Sequence, residues 1–521
     1  MAEVGRVQNW EEEGLPALEV LDGSVAIDAV LATEPVGDQP LAMSREAVAA
    51  GFAWTAGLNV IARVVFPLAG IYISRTLGPT ILGIASLLQM TMSFGEIMGN
   101  AGLGQTLIAE PDLDARKRAN FNGLAILTGS VPPLIILALT PFLTGFFRQP
   151  ELIWSLPVVA GCLFLNALAS MSGAAMLRKG QFKEQGMIGI VSGGISMILS
   201  IVLVSLGFGF KALVIQFSTT CLIGVGLTLK AEPLGKVCFA AKEIAATFKK
   251  TYALLGANLI NNVFLLFDIF VIQKMVGPTA AGLYNSSQNI AYKPADLILF
   301  PLSKTLMVAF GQNSTDQQRL ARAYWRAITA VVLLIVPMYV FIGLNSGGII
   351  LGLLGPKFSG GVPVLAVLSL YLGFRTFGNV SGNALVPAGK HKWTFYPWVM
   401  ALVVTIGGLA LIARAPTLMG IVWCFTAGAL TVYTLIFAIA AMTFRLNPDQ
   451  GKRFKKAALI TASTGAVVAA MQFLPLNLYL ILAASALVAP IIHLGFIGLA
   501  FEGKWFAYFY KPGLRRLWRS L

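Results

Sequence analysis

Leu77-Gly78-Pro79-Thr80-Ile81-Leu82-Gly83 returns 199 residues later as Val276-Gly277-Pro278-Thr279-Ala280-Ala281-Gly282. The same shift lays Gly57-Leu58-Asn59-Val60-Ile61 on Gly256-Ala257-Asn258-Leu259-Ile260, and Gln89 on Gln288. Ten of the 33 positions from 57 to 89 are identical. Shared turn chemistry explains part of this, because Gly-Pro ends one helix and the later glycine lets the next begin close by. It does not explain Asn59/Asn258 and Gln89/Gln288, which fall inside apolar stretches. The pattern reads as an internal repeat. Its offset spans six apolar segments, an even number, so both copies run the same way through a membrane. That is a parallel repeat about an axis along the membrane normal, a construction used by rocking transporters.

The surrounding chain fits a membrane. Of its 521 residues, 57% are apolar and 12% are charged, and the mean hydropathy is +0.77. A soluble domain carries about 25% charged residues, so a water-soluble enzyme is excluded. The apolar blocks are too long for barrel strands, and lipid admits only helices and closed barrels. The fold class is therefore an all-α polytopic membrane protein. Fourteen spans are expected, near 48–74, 82–108, 120–147, 152–175, 187–206, 210–229, 252–273, 282–311, 327–354, 362–386, 394–413, 417–444, 457–474 and 477–501. The weakest separations lie at Gly207–Gly209 and at Pro475.

Charge supports this count. Loops on one side, with the two flanks, hold 27 Lys and Arg, and the alternate loops hold six: Arg75, Arg148, Lys211, Lys274, Lys357 and Arg414. The positive-inside rule then places both termini in the cytoplasm. Residues 1–43 carry nine acidic side chains and only Arg6 as a base, so they read as a disordered acidic cytoplasmic tail and not as a signal peptide. The expected organisation continues with a six-helix half at 44–229 and a cytoplasmic amphipathic linker at 230–251. A second six-helix half follows at 252–445, then two additional helices at 446–502 and a basic-aromatic interfacial tail at 503–521. The positive charge is a topology signal and an attraction to anionic lipid heads, so nucleic acid is not a partner. The four cysteines form no CxxC pair, His391 and His493 are far apart, and no GxxxxGK[ST] is present, so neither a metal centre, an ATP site nor another cofactor is expected. The short loops on the cation-poor side leave no room for a glycosyltransferase or ligase domain. Glu110, Asp112 and Asp114 read as a solvated turn, so no catalytic residue is assigned and the protein is not an enzyme.

With this organisation the chain resembles the polysaccharide-transporter branch of the multidrug/oligosaccharidyl-lipid/polysaccharide exporter superfamily, and within it the Wzx-type flippases. The likeness rests on Ser74-Arg75-Thr76-Leu77-Gly78-Pro79 with Gly83, and on Gly102-Leu103-Gly104-Gln105. It continues in Ala175 through Phe182, Gly207 through Val214, Gly282-Leu283-Tyr284 and Pro387-Ala388-Gly389-Lys390-His391-Lys392. It covers roughly residues 45 to 445 and brings no catalytic motif. It implies a bacterial inner-membrane flippase, working by alternating access on an undecaprenyl-pyrophosphate-linked oligosaccharide repeat unit for exopolysaccharide or lipopolysaccharide synthesis. It further implies a polymerase and co-polymerase as partners, and a proton or sodium as coupling ion. A multidrug antiporter of the same superfamily is the alternative, and a membrane glycosyltransferase is a more distant one.

Ionisable residues inside the bilayer each cost about 2.5–3.5 kcal/mol on insertion scales and so point to function. At 1.5 Å per residue, Arg63, Glu96, Lys293, Asp296 and Arg375 all lie about 16–21 Å into their spans, near the midplane. Asp268 lies towards the outer end of its span, and Lys304 near an inner end, where it can snorkel. The cavity candidates for substrate are Arg63, Lys293, Arg375, Asn59, Asn258, Gln89 and Gln288. Asn261, Asn262, Asn289 and Asn379 add polar lining. Tyr284, Tyr292, Tyr324, Tyr371, Trp54 and Trp393 are candidates to meet sugar. Glu96, Asp268 and Asp296 are the coupling or charge-balancing candidates. Arginine and lysine suit a pyrophosphate. The plain alternatives are a Lys293–Asp296 pair along one helix, an Arg63–Glu96 pair across two, and amides that serve only as packing glue.

Overall fold

The computed structural model describes residues 65–100, 103–109, 114–239, 266–312 and 316–500. Every regular element among them is helical. The first half contributes α1 (Val65–Leu77), α2 (Pro79–Asn100), α3 (Leu103–Ala109), α4 (Ala115–Phe147), α5 (Leu152–Arg178), α6 (Phe182–Ser205) and α7 (Phe210–Ala231). The second contributes α8 (266–275), α9 (Pro278–Gln312), α10 (Gln317–Leu334), α11 (Val336–Leu344), α12 (Ser346–Leu353), α13 (Val362–Leu385), α14 (Phe395–Ile412) and α15 (Leu418–Thr443). The additional helices are α16 (Pro448–Met471) and α17 (Leu478–Ala500). Among the described residues eleven stretches are long and apolar enough to cross a membrane, and the protein is a multi-pass membrane protein. The other three of the fourteen expected spans correspond to α1, α8 and α9. The first two reach into residues outside the described set, as do the side chains of 294–305 within α9. The acidic and basic tails also lie outside it.

Local chemistry sets the helix ends. Gly78 and Gly277 have φ of 80° and 114°, a left-handed cap that leaves each following proline to open the next helix. The doubtful separation at 207–209 is a real turn, with Gly207 at φ 83° and Gly209 at φ 58°. Asp114 caps α4 by accepting from the Lys117 N–H at 2.6 Å, so the acidic cluster ends in a helix cap.

The repeat is visible as a contact. α2 crosses α9 where Gly83 faces the Pro278 carbonyl and Gly282 faces the Pro79 carbonyl, and a Cβ on either glycine would run into that oxygen. At the same crossing the Thr80 and Thr279 hydroxyls, 199 residues apart, are 2.8 Å from each other. Each copy therefore offers the same surface to the other, as a two-fold relation requires. Small residues let the two backbones touch.

Only the start of the expected amphipathic linker, up to residue 239, lies among the described residues. Residues 232–239 carry no helical turn and lie against α4 and α5. Glu232 is buried and accepts from Arg118 and Lys179, both at 2.6 Å. Asn122 Nδ2 donates to the Leu234 and Lys236 carbonyls, and Cys238 N–H donates to Ala119 O at 3.0 Å. Burial pushes the Glu232 carboxyl up, but the Lys179 and Arg118 hydrogen bonds and charges outweigh it and hold the group below its ordinary range.

Candidate functional site

The charged chemistry that the structure brings together lies in the second half. Tyr284, Gln288 and Tyr292 are four residues apart along α9 and share one face. Asp268, on α8, meets that face. Its Oδ2 accepts from the Tyr284 hydroxyl at 2.5 Å and from Gln288 Nε2 at 3.2 Å, and its Oδ1 accepts from the Ile269 N–H at 2.7 Å. The carboxylate is buried and fully engaged, which a buried acid in a membrane requires.

One helical turn further, the Tyr292 hydroxyl lies 2.8 Å from that of Tyr371 on α13. Arg375 follows Tyr371 by one turn, and its guanidinium sits 4.8 Å from the Tyr292 ring centroid. Among the described residues no carboxylate comes within ion-pair distance of it. The stacking contributes about 0.5–2 kcal/mol, and among the described residues no group accepts a hydrogen bond from the guanidinium. Tyr433 of α15 lies beside Tyr371, with ring centroids 6.2 Å apart, and Trp398 of α14 lies 6.1 Å beyond it. Gly378 makes this possible, since a side chain there would occupy the Tyr433 ring.

Beside these groups lies a partly open cavity of about 50 Å³, lined by Asp268, Tyr284, Tyr292, Leu368, Tyr371, Trp398, Phe425, Thr426, Ala429, Val432 and Tyr433, while Arg375 and Gln288 stand outside its lining. It is large enough for water or a small ion. The Thr426 hydroxyl is buried in its wall and has no hydrogen-bond partner among the described residues.

The cation-poor end is sealed between the halves. Lys274 Nζ donates to the Phe146 carbonyl at 2.8 Å and stands 3.7 Å over that ring. Phe146 stacks on Phe270 at 5.9 Å, Phe147 meets Phe270 edge-on at 5.4 Å, and Phe267 continues the ladder to Phe425 at 6.2 Å. The ladder ends on the cavity wall, which joins the seal to the Asp268 site.

A family model described as "Polysaccharide biosynthesis protein" matches residues 72–363, more than half of the chain. The chain belongs to this family. Within this family of polysaccharide biosynthesis proteins it is 22% identical over 364 residues to the succinoglycan biosynthesis transport protein ExoT of Rhizobium meliloti, covering 69% of this chain and 73% of the relative. It is 23% identical over 383 residues to the teichuronic acid biosynthesis protein TuaB of Bacillus subtilis, covering 72% and 78%. The lipopolysaccharide biosynthesis protein WzxC of Escherichia coli is 19% identical, covering 67% and 72%. The fold is that of the lipid II flippase MurJ in its inward closed conformation, with a TM-score of 0.68 at 13% identity over 86% of this chain and 98% of that one. An inward-facing multidrug resistance MATE transporter follows, with a TM-score of 0.58 at 16% identity, covering 75% and 96%. These two likenesses show the fold.

The structure gathers some of the sequence candidates and not others. Asp268, Gln288, Arg375, Tyr284, Tyr292 and Tyr371 come together. Gln89, Glu96 and Lys293 are exposed, with no hydrogen bond or ion pair among the described residues. Tyr324 is a packing residue, its hydroxyl 3.0 Å from Ser381 and its ring against Trp325 and Phe444. Trp393 is 55% exposed, outside the cavity. Arg63, Asn59, Asn258, Asn261, Asn262, Trp54 and the Asp296 and Lys304 side chains lie outside the described residues. Tyr433, Trp398 and Thr426 were not foreseen. The one local signal for them is Gly378, an interior helix glycine placed opposite Tyr433.

Proposed function

We propose that this protein is a flippase that carries an undecaprenyl-pyrophosphate-linked oligosaccharide repeat unit from the cytoplasmic to the periplasmic leaflet of a bacterial inner membrane, for exopolysaccharide or lipopolysaccharide synthesis. The observation that carries the reading is Arg375, a midmembrane guanidinium caged by tyrosines with no carboxylate partner among the described residues. Its planar donor fork suits a phosphate anion, and the tyrosines suit a sugar. Arg63 and Lys293 are the further cationic candidates, with Asn59, Asn258, Gln89 and Gln288 as amide lining. The two halves rock about the α2–α9 crossing, and the lipid tail stays in the bilayer.

Asp268 is the coupling candidate in this scheme, with Glu96 and Asp296 as charge balance. Release of Tyr284 or Gln288 from its carboxylate would let it take a proton or sodium from the far side and reset the carrier. The membrane potential assists export, since an inside-negative membrane favours outward movement of an anion by about 2.3 kcal/mol per charge per 100 mV. Two uncompensated charges then gain roughly 4–5 kcal/mol at 100 mV. Both termini lie in the cytoplasm on the charge rule, and the polymerase and co-polymerase of the same pathway are the expected partners.

Asp268 also supports a second reading, a multidrug antiporter, because an acid on a cavity wall suits a cationic drug. A deletion strain separates the two. The flippase reading expects lipid-linked repeat units to accumulate on the cytoplasmic side with drug sensitivity unchanged. The antiporter reading expects the reverse.

A further inference from the structure

The span formed by α10, α11 and α12 is broken twice, and both breaks are stitched by α16 and α17. The first break is at Pro337. Proline has no N–H to offer the carbonyl four residues earlier, so the Leu333 oxygen has no helical partner. In a membrane interior such an oxygen must find another donor. His493 of α17 supplies it, with Nε2 2.6 Å from Leu333 O. Its Nδ1 lies 2.9 Å from the Thr464 hydroxyl of α16, which fixes the ring. Thr461, also on α16, donates to the neighbouring Val332 carbonyl at 2.7 Å. The second break is at Asn345, which separates α11 from α12. Its Nδ2 donates to Phe341 O at 3.0 Å, and its Oδ1 accepts from Ser485 at 2.9 Å and Gln472 at 3.2 Å. His493, Thr461, Asn345 and Ser485 are all buried.

Helices in lipid often share polar contacts, and one such bond would be packing glue. Here four donors reach the broken span, and all four land on its two joints. Proline alone does not account for the joints. α4 contains Pro132, Pro133 and Pro141 and still runs as one helix from Ala115 to Phe147. In the 199-residue repeat α4 is the counterpart of α10 and α11, the part of the span that holds the Pro337 joint.

We infer that α16 and α17 are a hinge cap: His493 and Thr461 hold the span bent at Pro337, and Ser485 and Gln472 hold the joint at Asn345. The two additional helices are then a working part of the second half, although they lie outside its repeat. His493 is a positioning residue for the bend. The cap gives the second half a fixed joint at Pro337, at a place where α4 of the first half runs on unbroken, so the two halves move differently although their folds are related. The inference rests on the transporter reading only where it concerns export.

The test uses full-length protein in nanodiscs, with nitroxides on Gln318→Cys and Leu353→Cys at the two ends of the span. A straight helix would separate these positions by about 52 Å. Pro337→Ala restores the N–H, and it should lengthen the measured distance towards that value and slow export at unchanged abundance. His493→Leu should lower the thermal midpoint and broaden the distance distribution, and His493→Gln, which keeps a donor, should do so less. Adding Pro337→Ala to His493→Leu should restore the midpoint, because the Leu333 carbonyl regains a partner within its own helix. Should His493→Leu fail to accumulate, accumulation of the double variant supports the cap, and failure of both overturns it. Defects that merely add would make His493 packing glue and overturn the inference. Rescue of the midpoint with export untouched by Pro337→Ala would overturn the positioning role. An unaltered protein that moves no substrate would sink the functional reading and leave the distance result standing.

Discussion

A single methyl group at Gly83 should drive the protein out of the arrangement described here. A Cβ at that position meets the Pro278 carbonyl, and the backbone of α9 cannot yield as the tip of a side chain would. Forcing an extra methyl into a packed contact costs about 1–3 kcal/mol. The cost falls only on conformations in which α2 and α9 touch, so it enters the balance between this state and any state in which the crossing opens. At about 2 kcal/mol it shifts that balance roughly thirtyfold. The Thr80 and Thr279 hydroxyls, 2.8 Å apart, supply the assay. With the four native cysteines replaced, Thr80→Cys and Thr279→Cys should crosslink rapidly under a mild oxidant, and the crosslink should stop transport until it is reduced. Gly83→Ala should slow crosslinking by up to about thirtyfold, the limit reached when the touching state is the minor one, and Gly282→Ala should do likewise because the contact is two-fold. Equal crosslinking rates with and without Gly83→Ala, at equal protein abundance, would refute the reasoning.

Three other outcomes are expected. Tyr284→Phe removes the 2.5 Å hydrogen bond to Asp268, a bond to a charged group worth about 1.5–3 kcal/mol, so the thermal midpoint should fall measurably; Asp268→Asn should abolish export while abundance stays normal, and normal export would remove Asp268 from the coupling role. Because Glu232 titrates below its ordinary value in the folded protein, its contribution is complete above the ordinary carboxylate pKa and is lost as pH falls through the lowered one. Amide exchange over 233–239 should therefore rise on acidification, and Glu232→Gln should raise it at neutral pH. Cysteines placed at Ala240 and Arg515 should react with a membrane-impermeant label only from the cytoplasm, and reaction from the periplasm would overturn the charge-based orientation.

The membrane class and the repeat were legible because they are written in one dimension. Apolar length, loop charge and the 199-residue shift need no tertiary knowledge, and the shift reappears as the Thr80–Thr279 contact. Part of the site was legible for the same reason. Tyr284, Gln288 and Tyr292, and likewise Tyr371 and Arg375, are spaced to share helix faces, and charge within an apolar run draws notice. The count from the loop puts Asp268 towards the outer end of its span but says nothing of its burial, which comes from Tyr284 and Gln288 folding over it. The other residues depend on helices that are neighbours only in space. Nothing along the chain ties Tyr433 or Trp398 to Tyr371, or His493 to Leu333 across 160 residues. The two C-terminal helices looked like an addition because they fall outside the repeat, yet hydrogen bonds and side-chain packing, such as Phe454 against Trp325, join them to the second half.

The central claim is that a cationic, tyrosine-lined site carries a pyrophosphate-linked sugar lipid through the membrane. The most direct measurement is translocation of a synthetic polyprenyl-pyrophosphate oligosaccharide in proteoliposomes, read by the fraction open to a membrane-impermeant glycosidase. The account predicts that the unaltered protein moves the lipid across and that an inside-negative potential speeds export. It predicts that Arg375→Ala and Arg63→Ala each abolish movement at normal levels of reconstituted protein. Unchanged translocation with both arginines replaced, or transport of cationic drugs with no movement of the lipid, would contradict it.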